Sequence, residues 1–575
     1  MPVPRPEHPK PQMRRESWQN LNGRWEFETD MSVSGMDREL WKKENLTGEI
    51  TVPFCPESVL SGVHFTDFIP AVWYKKKVDI PAEKLNGRVV LHFGAVDYFS
   101  RVWVNGVEVG THKGGYSSFS FDITKAAVAG ENAITVYARD DNRAGKQPSG
   151  KQSPKYYSHG CSYTRTTGIW QTVWLEFTPE SYIKSVKLTP DAAGKKLYVD
   201  AVVTGAGAFS AKAFFKGKPA GEARIETMGR NARLAVDLSE IFLWDAGKPN
   251  LYDLTLTFGS GDTADVIQSY FGIRYIEWKN HAIYLNGRPL FQRLALDQGF
   301  YPDGIYTAPS DGALVKDIEL SLELGFNGAR LHEKVFEERF LYHADRLGYL
   351  VWGEHANWGL DIDKPEGLLH FLPEWTEILE RDYNHPSIIG WCPFNESWDR
   401  GSFKAGEHGV LYNVYKATKL FDETRPVIDT SGYHHVITDI YDTHDYRQDA
   451  AAFAESYKNL QPGEIYEPKP DSQKYGGQPF FVSEYGGMWW KPDGSREGSW
   501  GYSMPETEEE LCARYESLTG ALLSCEAVCA FCYTQLYDTE QECNGLYTYA
   551  RGRKFSDEIY ERVKKANSQK AAIEI

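Results

Sequence analysis

Two glutamates are the residues of this chain whose type and position best suit catalysis. Glu396 ends the apolar run IIGWCPFNE, directly after Asn395, and Glu484 ends the apolar run PFFVSE. A pair of carboxylates can cleave a glycosidic bond, because one protonates the departing oxygen while the other meets the oxocarbenium-like carbon. Their environments alone can separate the two pKa values that these roles need. We therefore expect Glu396 and Glu484 to share a catalytic site. The alternative for each is an exposed glutamate at the start of a loop.

The elements that would position these glutamates follow about residue 276, where short apolar runs alternate with helical segments. Eight such runs in about 300 residues fit the strands of a (β/α)8 barrel. Ser310 suits the N-cap of the helix DGALVKDIELSLELG. The next helix would bury one apolar stripe, formed by Val335, Phe336, Phe340, Leu341 and Ala344. The strand candidates are PLFQRLAL, FNGARLH, YLVWGE, IIGWCPFNE, PVIDTSG, DIYDTHDY, PFFVSEYGG and VCAFCYTQLYD.

Polar side chains collect at one end of these predicted strands. A barrel strand is apolar along its length, and the carboxyl ends of the strands open into the active-site mouth. One polar residue at a strand end could be structural, but a full set at the same end indicates a shared site. The set comprises Asp297, His332, Glu354, Asn395, Glu396, Ser431, His444, Tyr446, Glu484, Tyr533 and Gln535.

Before about residue 275 the chain has the pattern of β-sandwiches. Short alternating runs are separated by turn residues, and Asn105-Gly106, between VWV and VEV, predicts a hairpin turn. A break at TPESYIK divides this region into two pieces. We therefore predict a multidomain chain with an N-terminal jelly-roll-like β-sandwich (1–180), an immunoglobulin-like β-sandwich (181–275) and a C-terminal (β/α)8 TIM barrel (276–575).

The composition excludes several classes of partner. A formal net charge of -17 leaves no basic excess for phosphates, so neither nucleic acid nor an anionic membrane surface is an expected partner. No apolar run reaches the ~18 residues of a transmembrane helix. The first residues lack the apolar stretch of a secretory signal, so we expect a cytoplasmic protein, although a trimmed secreted or periplasmic form would look the same. The spacing of the cysteines fits no zinc site, which favours buried thiols and no metal or other cofactor.

An ordered series of short motifs covers nearly the whole chain and resembles glycoside hydrolase family 2, the β-galactosidase, β-glucuronidase and β-mannosidase group. FGIRYIE and YLNGRPLF resemble the family's entry into the barrel, FNE its acid/base motif and SEYGG its nucleophile motif. The motifs that resemble its sugar-binding domain are LNGRWEF (21–27), VWYKKKVDIP (72–81), VWVNGVEVGTHKGGYSSFSFDIT (102–124) and TTGIWQTVWLE (166–176).

The resemblance implies roles for several residues. Glu396 would be the general acid/base, Glu484 the nucleophile, and Asn395 the ligand of the sugar 2-hydroxyl. Tyr446 would contact the nucleophile, and its alternative is a core tyrosine. The other candidates for sugar contacts are His332, His444, Glu354 and Gln535 at strand ends, and Trp358, which would either stack on the sugar or close the barrel.

The sequence departs from the family pattern where the sugar would be recognised. The Gly-Val-Asn-Arg-His-type motif of the first barrel strand is replaced by FQRLALDQGFYPDG, so Asp297 would bind a hydroxyl instead. Tyr533 occupies the place where many relatives have tryptophan, and the Asn-x-Lys motif with which glucuronidases bind the acid group is missing. A basic turn after the last predicted strand contains Arg551, Arg553 and Lys554. These side chains would either bind the carboxylate of an acidic sugar or be exposed to solvent.

These features predict a retaining exo-β-glycosidase that removes a terminal sugar from an oligosaccharide or glycoside by double displacement, with a β-galactosidase-like specificity. The alternatives are a β-glycosidase for another sugar, such as a glucuronide, galacturonide or arabinoside, and a non-catalytic carbohydrate-binding protein on the same fold. Transfer of the glycosyl group to an acceptor other than water would use the same covalent intermediate. Because relatives commonly associate through the sandwich domains, a homo-oligomer is a further expectation.

Overall fold

The computed structural model describes residues 2–398, 409–432, 434–466, 469 and 472–575. The chain folds into two antiparallel β-sandwiches followed by a (β/α)8 barrel, as its sequence predicts. Within the described residues, no helix is both long enough and apolar enough to cross a membrane.

The first sandwich packs two main antiparallel sheets against each other. Its strands are β1 (Trp18–Asn20), β2 (Gly23–Thr29), β3 (Gly48–Val52), β4 (Ala71–Ile80), β5 (Arg88–Phe93), β6 (Val96–Asp97), β7 (Phe99–Val104), β8 (Val107–Lys113), β9 (Phe119–Asp122), β10 (Gly130–Arg139), β11 (Gly168–Ile169) and β12 (Val173–Thr178). One sheet has the order β1-β12-β5-β9 and the other β3-β2-β4-β10-β7-β8. Between β7 and β8, Asn105 and Gly106 have φ angles of 51° and 78°, which confirms the predicted hairpin turn.

The second sandwich places a three-stranded sheet on a four-stranded one. Its strands are β13 (Ile183–Asp191), β14 (Lys196–Val203), β15 (Gly207–Phe215), β16 (Lys218–Thr227), β17 (Asn231–Asp237), β18 (Leu251–Phe258) and β19 (Asp265–Gly272). The sheet orders are β13-β14-β17 and β16-β15-β18-β19. Burial alternates along β14 and β17, so one face of each strand lies in the core. That core contains Phe209, Val236 and Leu254.

A small sheet connects the second sandwich to the barrel. It consists of β20 (Ile276–Lys279), β21 (Ala282–Leu285) and β22 (Arg288–Pro289). Ile283 and Leu285 belong to the same apolar cluster as Leu294, Leu350 and Trp352 of the barrel strands. Leu350 is the first residue of its strand, so this sheet covers the amino-terminal end of the barrel and the carboxyl-terminal end stays available for a site.

The barrel contains eight parallel strand positions. Its strands are β23 (Gln292–Asp297), β24 (Gly328–Leu331), β25 (Leu350–Glu354), β26 (Ile388–Cys392), β27 (Phe394–Asn395), β28 (Thr430–Ser431), β29 (Tyr441–Asp445), β30 (Phe480–Gly486) and β31 (Val528–Thr534). Seven form one sheet in the order β26-β25-β24-β23-β31-β30-β29, and β27, which continues β26, pairs with β28. A hydrogen bond of 3.0 Å from His444 N to Gly432 O connects the end of β28 to β29.

The sequence predicts where two of the barrel helices begin. The first begins where predicted, and the second begins later than predicted. The helices are α1 (Asp311–Glu323), α2 (Glu338–Leu347), α3 (Glu366–Asp382), α4 (Val410–Phe421), α5 (Ala450–Lys458), α6 (Glu508–Leu523) and α7 (Asp557–Asn567). Ser310 Oγ accepts the Ala313 N–H at 3.2 Å, which confirms the N-cap. The predicted stripe of α2 is buried, but Val335 and Phe336 lie in the loop before the helix.

A segment of the first sandwich reaches the carboxyl-terminal end of the barrel. This covering segment, residues 140–167, joins β10 to β11. Gly150 N donates to Ala356 O at 3.0 Å, and Tyr163 OH donates to Glu542 at 2.5 Å. Because Ala356 and Glu542 follow β25 and β31, the covering segment forms one side of the barrel mouth.

Candidate active site

The two predicted catalytic glutamates come together at the carboxyl ends of their strands. Glu396 directly follows β27, and Glu484 lies within β30. One carboxylate oxygen of each glutamate and one ring nitrogen of His444 all lie within 4.8 Å of one another. Glu396 has a left-handed φ of 43°, a conformation that non-glycine residues seldom adopt outside functional sites and turns. The short separation matches a pair in which one carboxylate attacks the anomeric carbon directly.

His444 lies between these carboxylates. Its Nδ1 is 2.6 Å from Glu396 Oε1, and its Nε2 is 3.4 Å from Glu484 Oε1. Burial lowers the pKa of His444, but the charges of Glu484 and Glu396 outweigh burial and raise it. Burial raises the pKa of Glu396, but the hydrogen bond and charge of His444 outweigh that effect and lower it. These opposite shifts favour the ion pair of imidazolium and carboxylate.

Arg330 of β24 contacts Glu484, the predicted nucleophile, and the sequence analysis did not single it out. Its guanidinium is fully buried and lies 2.6 Å from Glu354 Oε1, 3.1 Å from Glu484 Oε1 and 3.0 Å from Asn395 Oδ1. Burial lowers the pKa of Arg330, but Glu354 and Glu484 more than compensate and raise it, so the guanidinium stays charged. A lone arginine inside the apolar run FNGARLH was the signal that could have identified it.

Asn395 presents an unused donor beside the glutamates. Its Oδ1 accepts from Arg330, and its backbone N–H donates to Asn357 Oδ1 at 2.7 Å. Within the described part of the protein, its buried Nδ2 has no hydrogen-bond partner. A buried amide donor without a partner is costly, and a ligand hydroxyl would satisfy it. This geometry suits the predicted contact with a sugar hydroxyl.

Tyr446 contacts Glu484, the residue that the resemblance assigns as the nucleophile. Its hydroxyl donates to Glu484 Oε2 at 2.5 Å and lies 2.9 Å from Thr534 Oγ1. Its ring stacks on Tyr502 with a centroid distance of 3.5 Å. The alternative of an ordinary core tyrosine does not fit these contacts, because the hydroxyl faces the catalytic carboxylate.

His332, Glu354 and Trp358 complete the group of predicted residues that the fold brings to this site. His332 Nδ1 lies 3.3 Å from Glu354 Oε2, and its Nε2 lies 3.9 Å from Glu484 Oε1. Burial lowers the pKa of His332, so its imidazole is neutral. Burial raises the pKa of Glu354 to about 7, against the effect of Arg330. Trp358 Nε1 donates to the Asn395 carbonyl at 3.0 Å, which places the indole beside the acid/base motif.

The structure corrects the prediction for Tyr533. Successive residues of a strand face opposite sides, and on β31 Tyr533 faces the helices, where its ring packs against Tyr485 and Tyr515. Thr534, its neighbour in the chain, reaches Tyr446 instead. The tyrosine was placed by its position at the strand end, which does not reveal the direction of the side chain.

Asp297 and Gln535 are committed to contacts within the barrel. Asp297 accepts from Tyr537 OH and from Gly299 N, the latter at 2.9 Å, and burial raises its pKa to about 6. Gln535 pairs with Gln298 and Asn544 at 2.8 Å each. Among the described residues, neither side chain hydrogen-bonds a catalytic glutamate, so their assignment as sugar ligands stays a prediction.

Two of the three cations in the basic turn are neither open to an anion nor solvated. Arg551 is bound to Asp317 by contacts of 2.9 and 3.0 Å, and Lys554 is buried against Asp538 at 2.7 Å. Arg553 is exposed and pairs with Glu323 and Asp557. The structure therefore corrects both interpretations for Arg551 and Lys554, which already have carboxylate partners, whereas Arg553 lies at the surface as the solvated turn predicts.

Lys151 of the covering segment brings a further charge to the mouth. The residue is 5% exposed, and its Nζ lies 5.5 Å from the ring centre of Trp358 and 5.8 Å from that of Tyr163. Burial lowers the pKa of Lys151, but nearby acidic groups, which include Glu542, Glu484 and Glu396, raise it overall. Sequence analysis missed this residue because it is distant in the chain from every barrel strand.

Glu396, His444 and Glu484 form the one group among the described residues whose donor atoms could hold a metal ion. A ligating imidazole must be neutral, whereas the raised pKa of His444 favours its cation. Cleavage by two carboxylates needs no metal. We assign no metal or other cofactor to the site.

Comparison with known proteins agrees with this arrangement. The sequence matches three profiles of glycosyl hydrolases family 2: the sugar binding domain over residues 18–179, a second domain over 181–274 and the TIM barrel domain over 277–500. The chain belongs to glycosyl hydrolase family 2. Members of this family are O-glycoside hydrolases, and the three matched domains correspond to the two sandwiches and the barrel.

Relatives within family 2 include proteins named β-glucuronidase and a protein named β-galactosidase. A β-glucuronidase of Paenibacillus borealis is 27% identical over 73% of this chain and 74% of its own. A β-galactosidase of Thermoanaerobacterium thermosulfurigenes is 26% identical over 85% of this chain and 68% of its own. A relative from Formosa agariphila is 28% identical over 60% of this chain, but the match spans only 42% of that longer protein.

The fold also matches solved structures. The β-glucuronidase of Ruminococcus gnavus in complex with D-glucuronic acid superposes with a TM-score of 0.78, over 96% of this chain and 99% of that one. The two sequences are 20% identical, so this likeness establishes the fold alone.

Proposed function

We propose that the protein is a retaining exo-β-glycosidase that releases a terminal β-linked uronic acid, with β-glucuronides as the first candidates. The observation that carries the retaining mechanism is the separation of Glu396 and Glu484, whose nearest oxygens lie within 4.8 Å. The names of the relatives favour a uronic acid over the β-galactosidase-like reading of the sequence, since β-glucuronidases predominate among them.

The geometry supports a double displacement. In the first step Glu484 attacks the anomeric carbon while Glu396 gives a proton to the departing oxygen, which leaves a covalent glycosyl-enzyme. In the second step Glu396 removes a proton from water, and the water oxygen displaces Glu484. Arg330 and Tyr446 hold the two oxygens of Glu484 in position for attack.

Two further features support this mechanism. The free Nδ2 of Asn395 suits a hydroxyl next to the reacting carbon, where a hydrogen bond that strengthens in the transition state lowers the barrier. The covering segment forms one side of the mouth through contacts such as that of Gly150 with Ala356. A mouth bounded on this side suits the end of a glycan better than its interior.

A panel of nitrophenyl glycosides tests the proposal. The panel contains the β-glucuronide, β-galacturonide, β-galactoside and β-mannoside together with an arabinoside, and NMR identifies the anomer released first. We expect the highest kcat/KM on a uronide and release of the β-anomer. Activity on none of the sugars, a clear preference for the galactoside, or release of the α-anomer from a β-glycoside would contradict the proposal.

Variants of the two glutamates identify the chemistry within the same panel. Glu484→Gln should abolish turnover because the amide is a poor nucleophile. Glu396→Gln should retain slow cleavage of substrates with good leaving groups, and azide should restore its turnover by attacking the glycosyl-enzyme without base catalysis. Full activity of either variant would contradict the assigned roles and favour a different site.

A further inference from the structure

Lys151 is a buried cation without a partner at the mouth of the catalytic site. In the part of the chain that the structure describes, its ammonium makes no hydrogen bond, and no carboxylate oxygen lies within 4.0 Å of it. Its ring contacts are with Trp358 and Tyr163 at 5.5 and 5.8 Å. Because the residue is mostly buried, its ammonium loses part of its hydration, and two distant aromatic rings compensate for only part of that cost.

The ammonium lies close enough to the catalytic residues for their charges to interact. Its charge contributes to lowering the pKa values of Glu396 and His332, and the charges of Glu484 and Glu396 act on Lys151 in return. Trp358, whose ring lies beside Nζ, is bonded through Nε1 to the Asn395 carbonyl. These contacts place Nζ on the same side of the mouth as the acid/base motif.

The backbone holds Lys151 in this position. Tyr163 N donates to Lys151 O at 2.7 Å, and Gly150 N lies 3.1 Å from the Trp358 carbonyl. Gly150 has a φ of 57°, and a Cβ at this position would lie 2.2 Å from the Glu333 carbonyl oxygen. Only glycine therefore allows the chain to pass this close to the barrel, so the lysine is presented by a fixed turn.

Among the residues that the structure describes, the other buried cations near the mouth are already paired. Arg330 is bound to Glu354 and Glu484. Lys334 donates to the carbonyls of Gly299 and Tyr306. The basic turn after β31 uses its charges on internal carboxylates, as described above. Lys151 is thus the cation of this group that a ligand could engage without breaking an existing pair.

We propose that Lys151 binds the carboxylate of the uronic acid substrate, so that the first sandwich supplies the specificity of a site whose catalytic residues belong to the barrel. This inference rests on the proposed function. A substrate carboxylate would be repelled by Glu396 and Glu484, and the Lys151 ammonium offsets that repulsion. A neutral sugar would cover the ammonium without pairing with it, which is the kind of mismatch that gives strong discrimination between substrates.

The test compares two substrates that differ only at the sugar acid, nitrophenyl β-glucuronide and nitrophenyl β-glucoside. The preference is kcat/KM for the glucuronide divided by kcat/KM for the glucoside. Lys151→Met should lower this preference by about 100-fold or more. Lys151→Arg should keep part of the preference, because the guanidinium retains the charge. Lys155→Met is the matched control, since Lys155 is an exposed lysine of the same segment, and it should leave the ratio unchanged.

A binding measurement separates recognition from damage to the fold. In the Glu484→Gln background, calorimetry with glucuronate should show a Kd that Lys151→Met raises at least about tenfold, while the thermal midpoint stays at the parent value. An unchanged ratio and Kd would overturn the inference, as would an equal loss on both substrates. If the wild-type protein cleaves no uronide in the panel, the proposed function fails. If the wild type prefers a uronide and Lys151→Met keeps the same preference, only the inference about Lys151 fails.

Discussion

The ring nitrogen Nδ1 of His444 lies 2.6 Å from Oε1 of Glu396. The opposite nitrogen is 3.4 Å from Glu484, so one imidazole connects the predicted proton donor and the predicted nucleophile. The pKa of Glu396 is lowered by this contact and that of His444 is raised. His444 thereby holds a proton next to the group that must deliver one. We regard His444 as a positioning residue whose effect passes through Glu396.

Replacing His444 should change the pH dependence of the reaction as well as its rate. We expect His444→Gln to lower kcat by roughly 10- to 100-fold, because proton transfer through Glu396 loses its partner. Without that partner the pKa of Glu396 rises. With a dinitrophenyl glycoside, deglycosylation limits kcat and requires ionised Glu396. The acid limb of the pH profile of kcat should therefore move to higher pH. His370→Gln, on an outer helix, is the control. An acid limb that stays in place would contradict this role.

Arg330 should be essential for both stability and activity. Arg330→Met leaves Glu354 and Glu484 buried without their cation, which should lower the free energy of unfolding by about 3–5 kcal/mol. Arg330→Lys keeps the charge but cannot span three acceptors, so it should recover stability more than activity. Denaturant unfolding and the single-turnover rate of glycosylation measure the two effects.

The same Arg→Lys change at Arg339 provides the control for this prediction. Arg339 makes a two-point contact with Asp311 at 2.6 and 2.8 Å, but it lies on α2, outside the mouth. Arg339→Lys should leave kcat/KM at the parent value. Wild-type activity of Arg330→Lys would show that the guanidinium geometry is unimportant.

Asn395 should act on the 2-hydroxyl of the sugar. The side-chain amide nitrogen of Asn395 has no hydrogen-bond partner among the described residues, and hydrogen bonds to this hydroxyl contribute several kcal/mol in glycosidase transition states. Asn395→Ala should therefore lower kcat/KM by about 100-fold on an ordinary glycoside and far less on its 2-deoxy analogue. Equal losses on both substrates would indicate a purely structural role for the side chain.

Glu374 should make the protein less stable as the pH rises. It lies on α3, accepts the Tyr116 N–H at 2.6 Å across the interface with the first sandwich, and is fully buried. Burial raises the pKa of Glu374 to about 8, against the effect of the Tyr116 hydrogen bond. The folded protein therefore keeps a proton that the unfolded chain loses above its ordinary pKa of 4.5. The stability from this proton is complete below pH 4.5 and is lost as the pH rises to about 8.

Glu374→Gln tests this linkage, because the glutamine carbonyl can still accept from Tyr116 while the titration disappears. Between pH 5 and pH 8, the decrease in thermal midpoint should be smaller than in the wild type. Glu57, whose pKa burial also raises to about 8, maintains part of the slope, and Glu57→Gln with Glu374→Gln should flatten it further. An identical slope in the wild type and Glu374→Gln would contradict the buried proton.

Local patterns in the sequence determined the fold class and predicted the catalytic pair. Short runs in which apolar and polar residues alternate indicate sandwiches, because only one face of each strand is buried. Apolar strands that alternate with helices indicate a barrel, because the barrel strands are buried on both faces. The same logic placed Glu396 and Glu484 at strand ends, and parallel strands bring their carboxyl ends to one edge. Ser310 could be recognised as a cap because an N-cap depends only on its nearest neighbours in the chain.

Only the tertiary structure decided the rest of the site. Tyr533 and Thr534 are adjacent in sequence, and packing determines which of the two faces the pocket. Arg330 pairs with Glu354, Glu484 and Asn395 from three other strand positions, a contact that no local pattern contains. Lys151 comes from a different domain altogether. Electrostatic interactions depend on distance through space and on burial, and the chain reveals both only after it has folded.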